Sequence, residues 1–140
     1  MKRIFDAKDA VLGRLASKVA KAALLGDEVV VVNCEFAVIS GSRYSLQDKW
    51  VARKDMGQPI HGPFFPRVSD RFVRRTIRGM LPFRQAKGQD AFRRVECYLG
   101  VPEEFKNTTL ERIKNAEFSQ LRGTKYVLVK DICKFMGGRA

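Results

Sequence analysis

One histidine, one tryptophan and three cysteines in 140 residues leave little material for the commonest catalytic and metal-binding chemistries. His61 stands alone, so a His-rich metal site or a His-based dyad has almost nothing to build on. Cys34, Cys97 and Cys133 are odd in number, far apart and outside any CxxC spacing, which argues against a disulfide framework or a zinc site and suits a reducing compartment. No apolar run approaches the roughly 18 residues of a membrane span. Lys2 and Arg3 are followed by Asp6 and Lys8 before any h-region of about 7–15 apolar residues, so no secretory signal is expected. Negative charge is scarce as well: 15 acidic against 27 basic side chains gives +12. The hydrophobic share of 45% is that of a folded chain. The length fits a single domain over 1–140 with a core of its own.

The positive charge is concentrated. Residues 1–42 carry a net +1, residues 43–94 a net +9 and residues 95–140 a net +2. The first third is patterned like a fold, and the middle like a binding surface. A one-sign cluster of that density repels itself and raises the local potential by several kT. Its natural counter-charge is a polyanion, nucleic acid being the commonest and an anionic membrane surface the rival.

Apolar periodicity sketches the elements. Residues 3–6 make a short strand, and residues 11–25 an amphipathic helix with Asp9 as N-cap and Gly26 at its C-terminal stop. Val29 to Val32 are four consecutive β-branched residues, expected in a strand covered on both faces by helices. Residues 36–39 read as another buried strand, and Ser40, Gly41 and Ser42 open a helix over 43–54. This order predicts an α/β fold with right-handed crossovers. Residues 55–68 hold three prolines and two glycines and form an extended loop. Ser69 or Asp70 then caps a helix over 70–80. A short helix at 89–95, a strand at 95–99, a short turn of helix at 101–105, a late strand at 126–129 and a short helix at 131–135 follow. Residues 107–123 carry no readable pattern.

The helix at 70–80 is the most informative segment. Arg71, Arg74, Arg75 and Arg78 fall at i, i+3, i+4 and i+7, on one face, with Val73, Ile77, Met80 and Leu81 on the other. Like-charged neighbours at these spacings cost roughly 0.2–0.5 kcal/mol each, and only Asp70 is close enough to relieve them. A charge run is usually just a solvated face. Here the choice of Arg, whose planar fork suits phosphate, and the single sign favour an anion-binding face. Arg67, Arg84, Lys87, Arg93 and Arg94 extend it. Phe64 and Phe65 could stack on unpaired bases, or could pin the loop to the core. Gly13 with Arg14 and Lys18, and Gly41 with Arg43, lie at helix starts where backbone N–H groups hold phosphate. Neither GxGxxG nor GxxxxGK[ST] is present, so a nucleotide-binding enzyme is disfavoured. His61 reads as a packing or contact residue, and Cys34 and Cys97 as inert core thiols. No carboxylate pair among Glu103, Glu104, Glu111 and Glu117 is placed for acid–base work.

Four strings carry a resemblance. "DAKDAVLGRLAS" at 6–17, "VVVVNCEFAVISGS" at 29–42, "RFVRRTIRGMLP" at 71–82 and "GQDAFRRVECYLGVP" at 88–102 resemble, in order and spacing, the large-subunit ribosomal protein L13 (uL13) family. The Arg-rich helix followed by Gly-Met-Leu-Pro, without a GYPGG-type segment, resembles its archaeal and eukaryotic-cytosolic branch. The resemblance implies a three-layer α/β/α fold with a mainly parallel four-stranded sheet. It implies early binding to large-subunit ribosomal RNA in the cytoplasmic ribosome, beside other ribosomal proteins, and a structural role rather than an enzymatic one. No cofactor, metal, membrane or small-molecule substrate is expected. Arg14, Lys18, Arg43, Arg71, Arg74 and Arg75 are carried over as RNA contacts, together with Arg78, Arg84, Arg93 and Arg94. Charge and position add Arg67 and Lys87. Residues 55–94 would form a basic extension within the domain. Two rival readings, a small nucleotide-dependent transferase and a membrane-surface or acidic-protein binding module, lack respectively a phosphate loop and spare apolar anchors on the basic helix.

Overall fold

The computed structural model describes residues 1–139. The four valines are the axis of the fold. Strand β2 (Glu28–Val32) lies between β1 (Lys2–Asp6) and β4 (Val95–Cys97), all parallel. Because side chains alternate along a strand, Val29 and Val31 enter one apolar cluster and Val30 and Val32 another. The first cluster is the main core. It is filled by helix α1 (Leu12–Leu24), which inserts Leu12, Leu15, Ala16 and Val19, and by α3 (Ser69–Gly79), which contributes Phe72, Val73 and Ile77. Helices α2 (Arg43–Asp55), α4 (Ala86–Arg93) and α5 (Val129–Phe135) complete the set.

The valine run is covered on both faces, but not by helices on both. The second cluster is small: Ile4, Val30, Val32 and Phe105, flanked by Tyr98, Val101 and Leu110. Its cover is the irregular segment 98–110 with one 3-10 turn at Glu103–Phe105, and this replaces the third layer of the expected three-layer α/β/α arrangement. The fourth parallel strand is also corrected. Among the described residues the parallel sheet has three strands, and β3 (Val38–Ser40) pairs antiparallel with β5 (Tyr126–Leu128) in a separate ribbon. Only residues 33–37 separate β2 from β3. They bend through Asn33, at φ 57°, and a 3-10 turn at Cys34–Phe36. A parallel crossover within one sheet needs a dozen or more residues, so β3 cannot return beside β2.

Two caps differ from expectation. Helix α1 begins after Val11 with no side-chain cap, and Asp9 sits at φ 59°. The backbone just before the helix is already engaged: Val38 N–H donates to the Ala10 carbonyl at 2.8 Å and Phe118 N–H to that of Asp9 at 2.9 Å. Helix α3 is entered from Val68, again without a side-chain cap, while Asp70 accepts from Arg71 N–H at 2.6 Å. Ser42 does cap α2, accepting from Ser45 N–H at 3.3 Å.

One glycine is fixed by a close approach. Gly88 is buried in α4, and a Cβ there would run into the carbonyl of Pro82 in the turn after α3. Gly88→Ala is expected to lower stability. Roughly 1–3 kcal/mol of crowding outweighs the roughly 1 kcal/mol that alanine gains in helix propensity. Thermal denaturation checks this, and a midpoint equal to that of the parent would refute the tight contact.

Candidate nucleic-acid interface

The α3 arginines stand out for what they lack. Among the described residues the ion pairs involve the N-terminal amine, Arg3, Lys54, Arg93, Lys106 and Arg112. None involves Arg71, Arg74, Arg75 or Arg78. Arg71 lies in the first turn of α3, where the helix dipole disfavours a cation. Burial, with Arg78 and Arg53 nearby, pushes the Arg75 guanidinium below its ordinary value. It stays protonated near neutrality all the same, because arginine starts so high.

In place of carboxylates these groups rest on aromatic rings. Arg74 lies 4.5 Å from the Phe92 centroid, Arg75 4.2 Å from Phe65, and Arg78 5.3 Å from Phe83. Arg75 also donates to the Phe64 carbonyl at 3.2 Å. The rings are themselves braced: Phe83 meets Phe92 edge-on at 5.5 Å, and Phe65 packs on Trp50 at 5.3 Å. A cation over a π-face gains on the order of 0.5–1 kcal/mol at an exposed site and keeps its charge, so an anion can still approach it. The two phenylalanines left open between base stacking and pinning the loop therefore split in role. Phe65 pins it to Trp50 and Phe72, while Phe64 stays 71% exposed.

The other nominated residues are dispersed. Arg84 is exposed beside Arg78 and Phe83, along a shallow depression after α3, and Lys87 is exposed on α4. Arg67 is exposed at the end of the loop. Arg14 and Lys18 occupy the exposed side of α1; Arg14 donates to the Asn115 carbonyl at 3.0 Å, and Lys18 shares a depression with Lys21 and Arg112. Arg43 lies 5.2 Å from the Phe135 ring. Arg93 pairs with Asp90 at 3.4 Å, and Arg94 reaches inward to the Ala23 carbonyl at 3.1 Å, holding the last turn of α1. Arg53, not nominated from the sequence, lies 4.7 Å from the Trp50 ring and lines the same groove as Arg75. The signal was the i, i+3 pairing of Trp50 and Arg53 in the last turns of α2.

Among the described residues no three His, Cys, Asp or Glu side chains gather as metal ligands. The Cys97 thiol and burial push the Cys34 thiol far above its ordinary value, and burial raises that of Cys133, so neither is a ready nucleophile. His61 is exposed at the turn where Gln58 and Gly62 pair. No described helix is long and apolar enough to cross a membrane.

The family model of ribosomal protein L13 matches residues 1–104. Over 97% of its length the chain is 41% identical to the large ribosomal subunit protein uL13 of Methanococcoides burtonii, covering 98% of that protein. It is 41% identical to the uL13 of Archaeoglobus fulgidus and 43% identical to that of Methanosarcina barkeri, again over 97% of the chain and over 88% and 98% of those proteins.

Proposed function

This chain belongs to the ribosomal protein L13 family, on its archaeal branch, and from that premise we propose that it is a structural constituent of the large ribosomal subunit that binds and stabilises large-subunit rRNA. The family is a structural one rather than an enzyme family. The observation that carries the RNA reading is the α3 face: four guanidiniums, three of them seated on rings and none paired with a carboxylate. Such a face is unfavourable alone and becomes favourable once phosphates neutralise it.

In this reading Arg71, Arg74, Arg75, Arg78 and Arg84 form the centre of the contact. Lys87, Arg67 and Arg43 lie around it, and Arg14 and Lys18 make a second contact from α1. Arg93 and Arg94 belong to the fold first. Residues 1–140 act as one domain, within which 55–94 is the basic extension, and phosphate neutralisation combines with recognition of folded RNA shape. Binding comes early in assembly, before other large-subunit proteins cover the RNA. A tagged chain expressed in an archaeal host is expected to sediment with large subunits and to remain there after a high-salt wash. Recovery only at the top of the gradient would overturn this reading.

A further inference from the structure

A groove of about 520 Å3 opens where the start of α1, β3, α2, the Phe65 loop and α3 converge. That lies within the roughly 300–1,000 Å3 of sites that enclose small ligands. Its wall is apolar and aromatic, with Val38, Ile39, Trp50 and Phe65, and two cations, Arg53 and Arg75, line it as well. Each guanidinium lies over one of its rings, Arg53 at 4.7 Å from Trp50 and Arg75 at 4.2 Å from Phe65, and neither has a carboxylate partner among the described residues. Gly13 and Gly79 sit at the groove with open space where a Cβ would be.

We propose that this groove receives one unpaired nucleotide of the RNA, its base against Trp50 and Phe65 and its phosphate at Arg53 and Arg75. This rests on the rRNA-binding reading above and narrows it to a single-stranded element. An apolar peptide segment laid in the groove would strand two charges, and a simple anion would leave the aromatic wall unused. A nucleotide carries both a π-face and a negative charge, which is what the two halves of the groove match. Its uncharged polar side chains are Ser40 and Thr76, and Thr76 already donates to the Phe72 carbonyl at 3.1 Å, so the groove holds a base mainly by stacking rather than by reading its identity.

Trp50 is the protein's one tryptophan, so its emission reports on the groove directly. The experiment titrates the full chain with a single-stranded RNA heptanucleotide, with an RNA duplex of equal phosphate count, and with AMP. The single strand is expected to quench Trp50, and the duplex to bind without quenching. Gly13→Leu on α1 and Gly79→Leu on α3 each add a bulky side chain at the groove without changing charge. Each is expected to weaken single-strand binding on the order of ten-fold, the contribution of one stacked base, and to leave duplex binding unchanged. Thermal midpoints confirm that both variants fold, and either one suffices. Unchanged Trp50 emission at saturating single strand, or parental single-strand affinity in a folded filled variant, overturns the proposal while salt-sensitive duplex binding leaves the wider reading standing. Quenching by AMP as strong as by the heptanucleotide overturns the assignment to RNA in favour of a free nucleotide. Absence of binding to either RNA sinks the rRNA-binding reading itself.

Discussion

Raising monovalent salt from about 50 to about 200 mM is expected to weaken the binding of this protein to its rRNA fragment by about 10³–10⁵-fold. The estimate follows from how many cations are free to meet phosphate. Twelve basic residues were nominated from the sequence. Arg93 is paired with Asp90 and Arg94 turns inward to the Ala23 carbonyl, which leaves ten, of which Arg14 and Arg75 also donate to backbone carbonyls. If about six to ten of them each displace condensed counterions, log K should fall with log salt at a slope of roughly −5 to −9. Four of the ten lie on the α3 face, where among the described residues no carboxylate is paired with a guanidinium to compete with RNA. Anisotropy or filter binding at five or six salt concentrations measures the slope. A flat line would remove phosphate neutralisation as the mechanism, whatever the affinity.

The second large effect is expected from reversing Arg74 and Arg78 together. Each charge-assisted hydrogen bond to phosphate is worth about 1.5–3 kcal/mol, so losing two costs on the order of 10²–10⁴-fold, and the added negative charges repel the backbone further. Arg74→Glu/Arg78→Glu should therefore fail to enter large subunits. Its fold should survive. Two cation–π contacts, with Phe92 and Phe83, are lost at about 0.5–1 kcal/mol each. Against this, the repulsions 71/74 and 75/78 turn into attraction, returning a few tenths of a kcal/mol apiece, while 74/78 stays a like-charged pair. Circular dichroism and a thermal midpoint near the parent's, combined with exclusion from the subunit, are the expected result. Parental incorporation would rule α3 out as a contact.

The parts legible in the sequence were those governed by local periodicity. The Val29–Val32 run announced a doubly covered central strand, and the spacing in α1 marked which face enters the core; in α3 it marked Val73, Ile77 and Leu81 but missed Phe72 and wrongly included Met80, which is exposed at the helix end. What escaped was decided by pairing at a distance. Nothing local in residues 36–39 says that the partner is Tyr126–Leu128, although the short link from Val32 already forbade a parallel neighbour. The thin cover over Val30 and Val32 comes from 98–110, whose apolar residues are too sparse to signal a layer. Asp9 looked like a cap because its neighbours' bridges to 38 and 117 are invisible in one dimension. On α3 the Arg spacing was plain. The inward turn of Arg94 and the meeting of Arg53 with Arg75 depend on which helices lie side by side.

The aromatic seats under Arg74, Arg75 and Arg78 change when order is imposed on these side chains. A free arginine loses roughly 1.5–2 kcal/mol of rotamer freedom when it is immobilised. Here part of that loss is incurred as the protein folds, when the guanidiniums settle on Phe92, Phe65 and Phe83. The distances between the positive centres thus become properties of the protein alone, set before any RNA arrives. In the proposed rRNA contact, a strand whose phosphates match that spacing would meet a surface already in register, while one that does not would itself have to bend. On that reading the α3 face would work as a mould that selects a backbone shape rather than as a flexible adhesive.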